Sequence, residues 1–199
     1  MRLILVRHGE TDWNQQYRIQ GQSDLPLNEC GMAQAKSIAL ALKDERVEAI
    51  YSSPLRRALG TAEAINRFHQ VKLVPLDELK ELDVGELDGM HGTDLRIIYP
   101  AFFRDWVTDA ASTRLPGGES LTELQDRAWD AVEGVLERNQ SDLIVVSHFF
   151  VIISLLCKVL NLHLSEFRRF GITVGSISIL EFNGKRTEMV SFNDTCHLE

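Results

Sequence analysis

The stretch Leu3-Ile4-Leu5-Val6-Arg7-His8-Gly9 sets four strand-forming aliphatics before two basic side chains and a glycine. An apolar run without alternation is the pattern of a strand covered on both faces, so Leu3 to Val6 is expected in the middle of a sheet. In open α/β sheets ligands bind beyond the carboxyl ends of the strands. Arg7 and His8 are therefore read as ligand-edge residues, and Gly9 as a place where backbone can come close to a ligand without a Cβ in the way.

The same logic extends along the chain. Asn28 is a suitable N-cap for a helix with apolar positions Met32, Ala35, Ala39 and Leu42, and Val47 to Tyr51 reads as a second strand. Ser53-Pro54 is expected to cap and start the next helix, whose buried stripe is Leu55, Ala58, Ala62 and Ile65. Val71 to Pro75 is short and extended, and Leu79 to Gly89 is punctuated by glycine and irregular.

Ser120-Leu-Thr-Glu123 has the capping-box form and opens a long amphipathic helix to about Arg138. Leu143 to Val146 is another doubly buried strand, leading into His148 and an apolar helix. Ser176 to Phe182 and Glu188 to Phe192, joined through Asn183-Gly184, read as an antiparallel hairpin. The alternation predicts an α/β three-layer sandwich: a mostly parallel central sheet, helices on both faces and one antiparallel edge strand. Residues 1–199 are expected to form one domain, with 90–118 a lid-like excursion.

Composition narrows the class. The chain has 199 residues, 44% hydrophobic and 25% charged, typical of a globular protein with a sizeable core. The apolar run Phe149 to Cys157 is far short of the ~20 residues of a membrane span, and no secretion leader is expected because Arg7 and His8 interrupt the first apolar run. Cys30, Cys157 and Cys196 are widely spaced and fit reduced thiols in a cytoplasmic protein, without disulfides or structural zinc. A formal charge of -8 argues against nucleic-acid or membrane-surface partners, while a few convergent arginines could still hold a small anion. Exposed strand edges leave room for a homodimer.

Arg7, His8, Arg57 and His148 all follow strands, and Glu81 sits in the irregular segment. Guanidinium groups suit the charge on the equatorial oxygens of a transferring phosphoryl group, and an imidazole nitrogen can attack phosphorus to give a phosphohistidine. His8 is the candidate nucleophile, kept neutral by the Arg7 charge. Glu81 is the candidate acid for the leaving oxygen, with Glu78 as the alternative.

With those residues in view, LVRHGETDWN from Leu5, SSPLRRALGTA from Ser52, LKELDVGELDG from Leu79, PGGES from Pro116 and VVSH ending at His148 resemble the histidine phosphatase superfamily, in its phosphoglycerate-mutase-like branch. The resemblance runs in order through nearly the whole chain. It implies that His8 is phosphorylated, that Arg7, Arg57 and His148 surround the phosphate, and that Glu81 is the proton donor. It further implies substrate contacts from Asn14, Gln20 and Gly21, and chemistry without a metal or other cofactor. One departure is Phe149, where the family commonly has glycine; its ring must turn into the core or narrow the substrate pocket.

The function these features imply is hydrolysis of small phosphorylated metabolites such as α-ribazole phosphate, phosphoserine or sugar phosphates. The alternatives are a cofactor-dependent phosphoglycerate mutase, whose long basic insertion is absent here, and a non-catalytic phospho-ligand-binding module. Arg96, Arg104 and Arg114 are candidate contacts for a second anionic group on the substrate, and His91 is either a substrate contact or an incidental loop residue. Tyr99, Phe102, Phe103 and Trp106 read as packing, and Arg56, His69, His163 and His197 as structural or surface residues.

Overall fold

The computed structural model describes residues 1–184 and 186–199. Among them six strands form one sheet in the order β3-β2-β4-β1-β5-β6. These are β1 (Arg2–Arg7), β2 (Val47–Ser52), β3 (Lys72–Pro75), β4 (Asp142–Ser147), β5 (Ile177–Asn183) and β6 (Arg186–Asp194). β1, β2, β3 and β4 pair in parallel, whereas β5 runs antiparallel to both of its neighbours. The antiparallel pairing thus lies at one margin and includes the expected hairpin of β5 and β6.

The twofold alternation of strand side chains divides the core into two layers. Ile4 and Val6 pack with α2 (Glu29–Leu42) and α3 (Arg56–His69). Leu3 and Leu5 point the other way, toward α6 (Leu121–Arg138) and α7 (Phe149–Val159). Leu3, Ile4 and Val6 are each at 0% exposure, the consequence of helices on both faces. A four-residue α1 (Asp12–Gln15) follows β1, and α4 (Leu95–Ile98) and α5 (Pro100–Thr108) lie within the 90–118 excursion. Leu95, Phe102 and Trp106 pack on the layer of α6 and α7.

The expected caps form where a side-chain oxygen meets an unpaired helix N–H. Asn28 Oδ1 accepts from the Gly31 N–H at 2.8 Å, and Ser120 and Glu123 make both bonds of the capping box, at 3.2 and 2.8 Å. Two local readings are corrected. Helix α3 begins at Arg56 instead of Pro54, because Leu55 stays extended and Ser53 Oγ accepts from the Leu55 N–H before the helix starts. Met32 is 49% exposed; Ala35, Ala39 and Leu42 are buried as expected, and Gly31 and Ile38 complete the stripe of α2 in place of Met32.

Candidate active site

Parallel neighbours bring their carboxyl ends side by side. Arg7 of β1 is in register with Ser147 of β4, and the His8 N–H donates to the Ser147 carbonyl at 3.1 Å. The residue after each strand end is a histidine, and the His8 and His148 rings lie with centroids 5.0 Å apart. On the other side of β4, β2 leads into α3, whose first turn carries Arg57. Glu81 enters from the segment after β3, which is tied down where Ser147 Oγ donates to the Leu79 carbonyl at 2.8 Å.

The two imidazoles are held as opposite tautomers. His8 Nδ1 lies 2.7 Å from the Gly9 carbonyl, which can only accept, so the proton is on Nδ1 and Nε2 keeps its lone pair. His148 Nδ1 is 3.2 Å from Arg57 Nε, which can only donate, so its proton is on Nε2. That Nε2 is buried and has no hydrogen-bond partner among the described residues. Burial first, and then the Arg57 and Arg7 charges, push both histidines well below their ordinary value near 6.5. One ring presents a lone pair and the other an N–H.

The cations are fixed by carbonyls. Arg7 donates through Nη1 to the Ile172 carbonyl, and its guanidinium carbon stands 5.4 Å from the centre of the Phe149 ring. Its buried Nε has no partner among the described residues. Arg57 is at 0% exposure and donates to the Ser23 carbonyl at 2.8 Å and the Gly21 carbonyl at 2.7 Å, besides His148. Burial lowers both arginines to about 10, so both remain cations at neutral pH. Glu81 is held by the Leu82 N–H at 2.8 Å and the Phe150 N–H at 3.3 Å. Burial raises it above its ordinary 4.5 despite those hydrogen bonds and the two arginines.

A cavity of about 200 Å³ opens over Arg7, His8 and Glu81, with Asn14, Gln20 and Phe149 also lining it, whereas His148 and Arg57 are not among its lining residues. Asn14 is oriented by its capping bond, Oδ1 accepting from the Thr11 N–H at 3.0 Å, and Gln20 Nε2 is a buried donor without a partner among the described residues. Of the two outcomes left open for Phe149, the residue lines the pocket, with its ring against Arg7. A larger groove of about 310 Å³ between α2 and α3 holds no buried nucleophile or paired imidazole, so the chemistry belongs to the smaller cavity.

Other candidates fall elsewhere. Gly21 does not line the cavity; its carbonyl holds Arg57, and a Cβ there would meet Val84 Cγ2 at 2.5 Å. Gly9 answers a tight contact inside the fold, since a Cβ would sit 2.4 Å from the Gly31 carbonyl oxygen of α2. Arg96 is exposed, Arg104 pairs with Asp105 and Arg114 with Glu123, so none of the three reaches the cavity. Glu78 is exposed, and His91 does not line the cavity itself, although its backbone pairs with that of Arg18, which does.

Sequence reasoning missed Arg18, Ile19, Val84 and Phe150, which complete the lining. Arg18 and Ile19 directly precede the Gln20-Gly21 pair, a signal that the whole loop faces the site. Val84 and Phe150 give no such signal, because an apolar residue reads the same whether it faces core or ligand.

The family model described as histidine phosphatase superfamily (branch 1) matches residues 3–195. The chain is 36% identical to phosphoserine phosphatase 1 of Hydrogenobacter thermophilus, covering 100% of this chain and 94% of that protein. It is 35% identical to a probable phosphoglycerate mutase GpmB of Proteus mirabilis, over 92% of this chain and 85% of the relative. Bacillus stearothermophilus YhfR superposes with a TM-score of 0.90 at 29% identity, covering 100% of this chain and 99% of that one. On this match and this geometry, the chain belongs to branch 1 of the histidine phosphatase superfamily.

Proposed function

We propose that this enzyme, a phosphoric monoester hydrolase, releases phosphate from small-molecule phosphomonoesters through a phosphohistidine and without a metal ion. His8 Nε2 attacks phosphorus, the bond from phosphorus to the ester oxygen breaks, and Glu81 gives its proton to the departing alcohol. The Glu81 carboxylate then takes a proton from water, the resulting hydroxide attacks phosphorus, and the N–P bond breaks to restore the His8 lone pair. Arg7, the His148 Nε2–H, Asn14 and Gln20 hold the phosphoryl oxygens, with Arg57 behind His148 fixing its tautomer. Electrostatic stabilisation by preorganised donors is the main contribution asked of these groups.

The observation that carries this reading is the pair of opposite tautomers: a buried imidazole lone pair beside a buried imidazole N–H, flanked by two arginines. A metabolite such as phosphoserine is a natural first substrate to try, given the name of the 36%-identical relative. The three cysteines are free thiols, which supports a cytoplasmic setting. Whether the chain forms a homodimer is read by light scattering.

The test is turnover of phosphomonoesters in EDTA beside His8→Ala, with phosphate release and ³²P retained on protein as readouts. We expect wild-type labelling at His8 and a loss of at least about 10⁴-fold in the variant. Activity within tenfold of wild type would remove His8 from the chemistry. Interconversion of phosphoglycerate isomers faster than phosphate release would establish the mutase instead, the reading favoured by the GpmB relative.

A further inference from the structure

Beside the reacting centre, away from the His8 face, the lining changes character. Ile19, Val84 and Phe150 form a wall of the catalytic cavity, and the same three residues line a second cavity of about 130 Å³. Leu95, Phe102 and Trp106 help to close it, and every residue around it is apolar. The aromatic rings are already set against one another, Trp106 edge-on to Phe150 at 6.4 Å and tilted on Phe102 at 5.8 Å. Phe150 joins the two spaces, because its N–H holds the Glu81 carboxyl and the residue lines both cavities.

We infer that this apolar annex receives the alcohol part of the substrate, so that the enzyme prefers phosphomonoesters of alkyl or aryl alcohols to those of small zwitterionic ones such as phosphoserine. The inference rests on the phosphatase reading above. An unfilled apolar cavity costs stability, and only apolar matter fills it favourably. The ammonium and carboxylate of phosphoserine would lose hydration against this wall with little to replace it. The cation added to the cavity at this side is Arg18, two of whose donors are already given to the Gly89 carbonyl at 2.7 Å and Gln16 Oε1 at 2.9 Å.

The experiment compares kcat/KM for ethyl, butyl and hexyl phosphate, phenyl phosphate and phosphoserine with the full-length enzyme. Each methylene buried in the annex should raise kcat/KM by up to about fourfold, giving roughly tenfold from ethyl to butyl phosphate, with phosphoserine below butyl phosphate. Phe102→Asp places a carboxylate in the annex and should lower the hexyl-to-ethyl ratio by about tenfold or more. That ratio is internal to one protein sample, so partial loss of folded enzyme does not alter it. A flat alkyl series, or phosphoserine turned over faster than butyl phosphate, overturns the inference while leaving the phosphatase standing. Failure to release phosphate from any ester, with no label on His8, overturns the phosphatase reading itself.

Discussion

Replacing Glu81 by glutamine keeps the size of the side chain and removes its proton. Glu81 is at 4% exposure, and burial lifts its carboxyl above the ordinary 4.5, so it holds a proton at a pH where an exposed glutamate would have lost it. The alcohol leaving an alkyl ester is nearly as weak an acid as water and departs poorly as an alkoxide. General acid catalysis is worth about 10²–10⁴-fold, or roughly 3–5 kcal/mol. Glu81→Gln should therefore slow the first turnover of butyl phosphate by about 10²–10⁴-fold and that of a nitrophenyl ester by less than about tenfold. In the proposed mechanism the Glu81 carboxylate also activates water, so the nitrophenyl ester should give a burst of one phenolate per site in the variant, followed by slow turnover as phosphohistidine accumulates. In wild type the alkyl first turnover should fall as pH rises through the raised Glu81 pKa, and in the variant that limb should vanish. Rapid mixing with absorbance for the phenolate and an alkaline quench for the alkyl ester measures both. Equal losses on the two esters, or an alkaline limb retained in the variant, would refute the assignment.

Three further perturbations follow from the geometry. Arg57→Lys replaces donors to His148, Ser23 and Gly21 by one ammonium that can reach at most one of them without moving; the two bonds lost should cost roughly 3–6 kcal/mol by urea unfolding, and a loss under about 1 kcal/mol would contradict the structure. Gly9→Ala drives a Cβ to 2.4 Å from the Gly31 carbonyl oxygen and should destabilise by about 1–3 kcal/mol in a thermal melt; unchanged stability would mean that α2 yields easily. His8 and His148 are depressed below 6.5 in the folded state, so the unfolded chain binds more protons as pH falls below that value. Their contribution is at its full value above the unfolded pKa and is lost as pH drops toward the folded ones. Stability measured between pH 7.5 and about 5 should fall less steeply in His148→Gln than in wild type, and identical slopes would mean that this ring does protonate in the folded state.

Much of the fold was legible because its signals are local. An unbroken apolar tetrapeptide, a period of three and four in α6, an asparagine or serine before a helix and a glycine in a hairpin each report on residues only a few positions apart. They placed β1, β4, α6 and the C-terminal hairpin, and the order of motifs brought Arg7, His8, Arg57, Glu81 and His148 together as candidates. The failures are also physical. The start of α3 and the buried face of α2 depend on what those segments pack against, so Leu55 remains extended and Met32 turns to solvent.

What the sequence by itself determined is the kind of chemistry: two histidines, two arginines and a carboxyl at or near the ends of buried parallel strands. Only the tertiary structure decided their roles relative to one another. It set Arg57 against His148, where the Nε–H donates to Nδ1 and fixes that ring's tautomer, and it turned Arg96, Arg104 and Arg114 away from the cavity. It also assigned Gly9 to the approach of α2, and made Ile19, Val84 and Phe150 a wall shared between catalytic and apolar spaces. The reason is one of range. Periodicity and capping act over a few residues, whereas the direction of a loop side chain is fixed by packing between segments far apart in the chain.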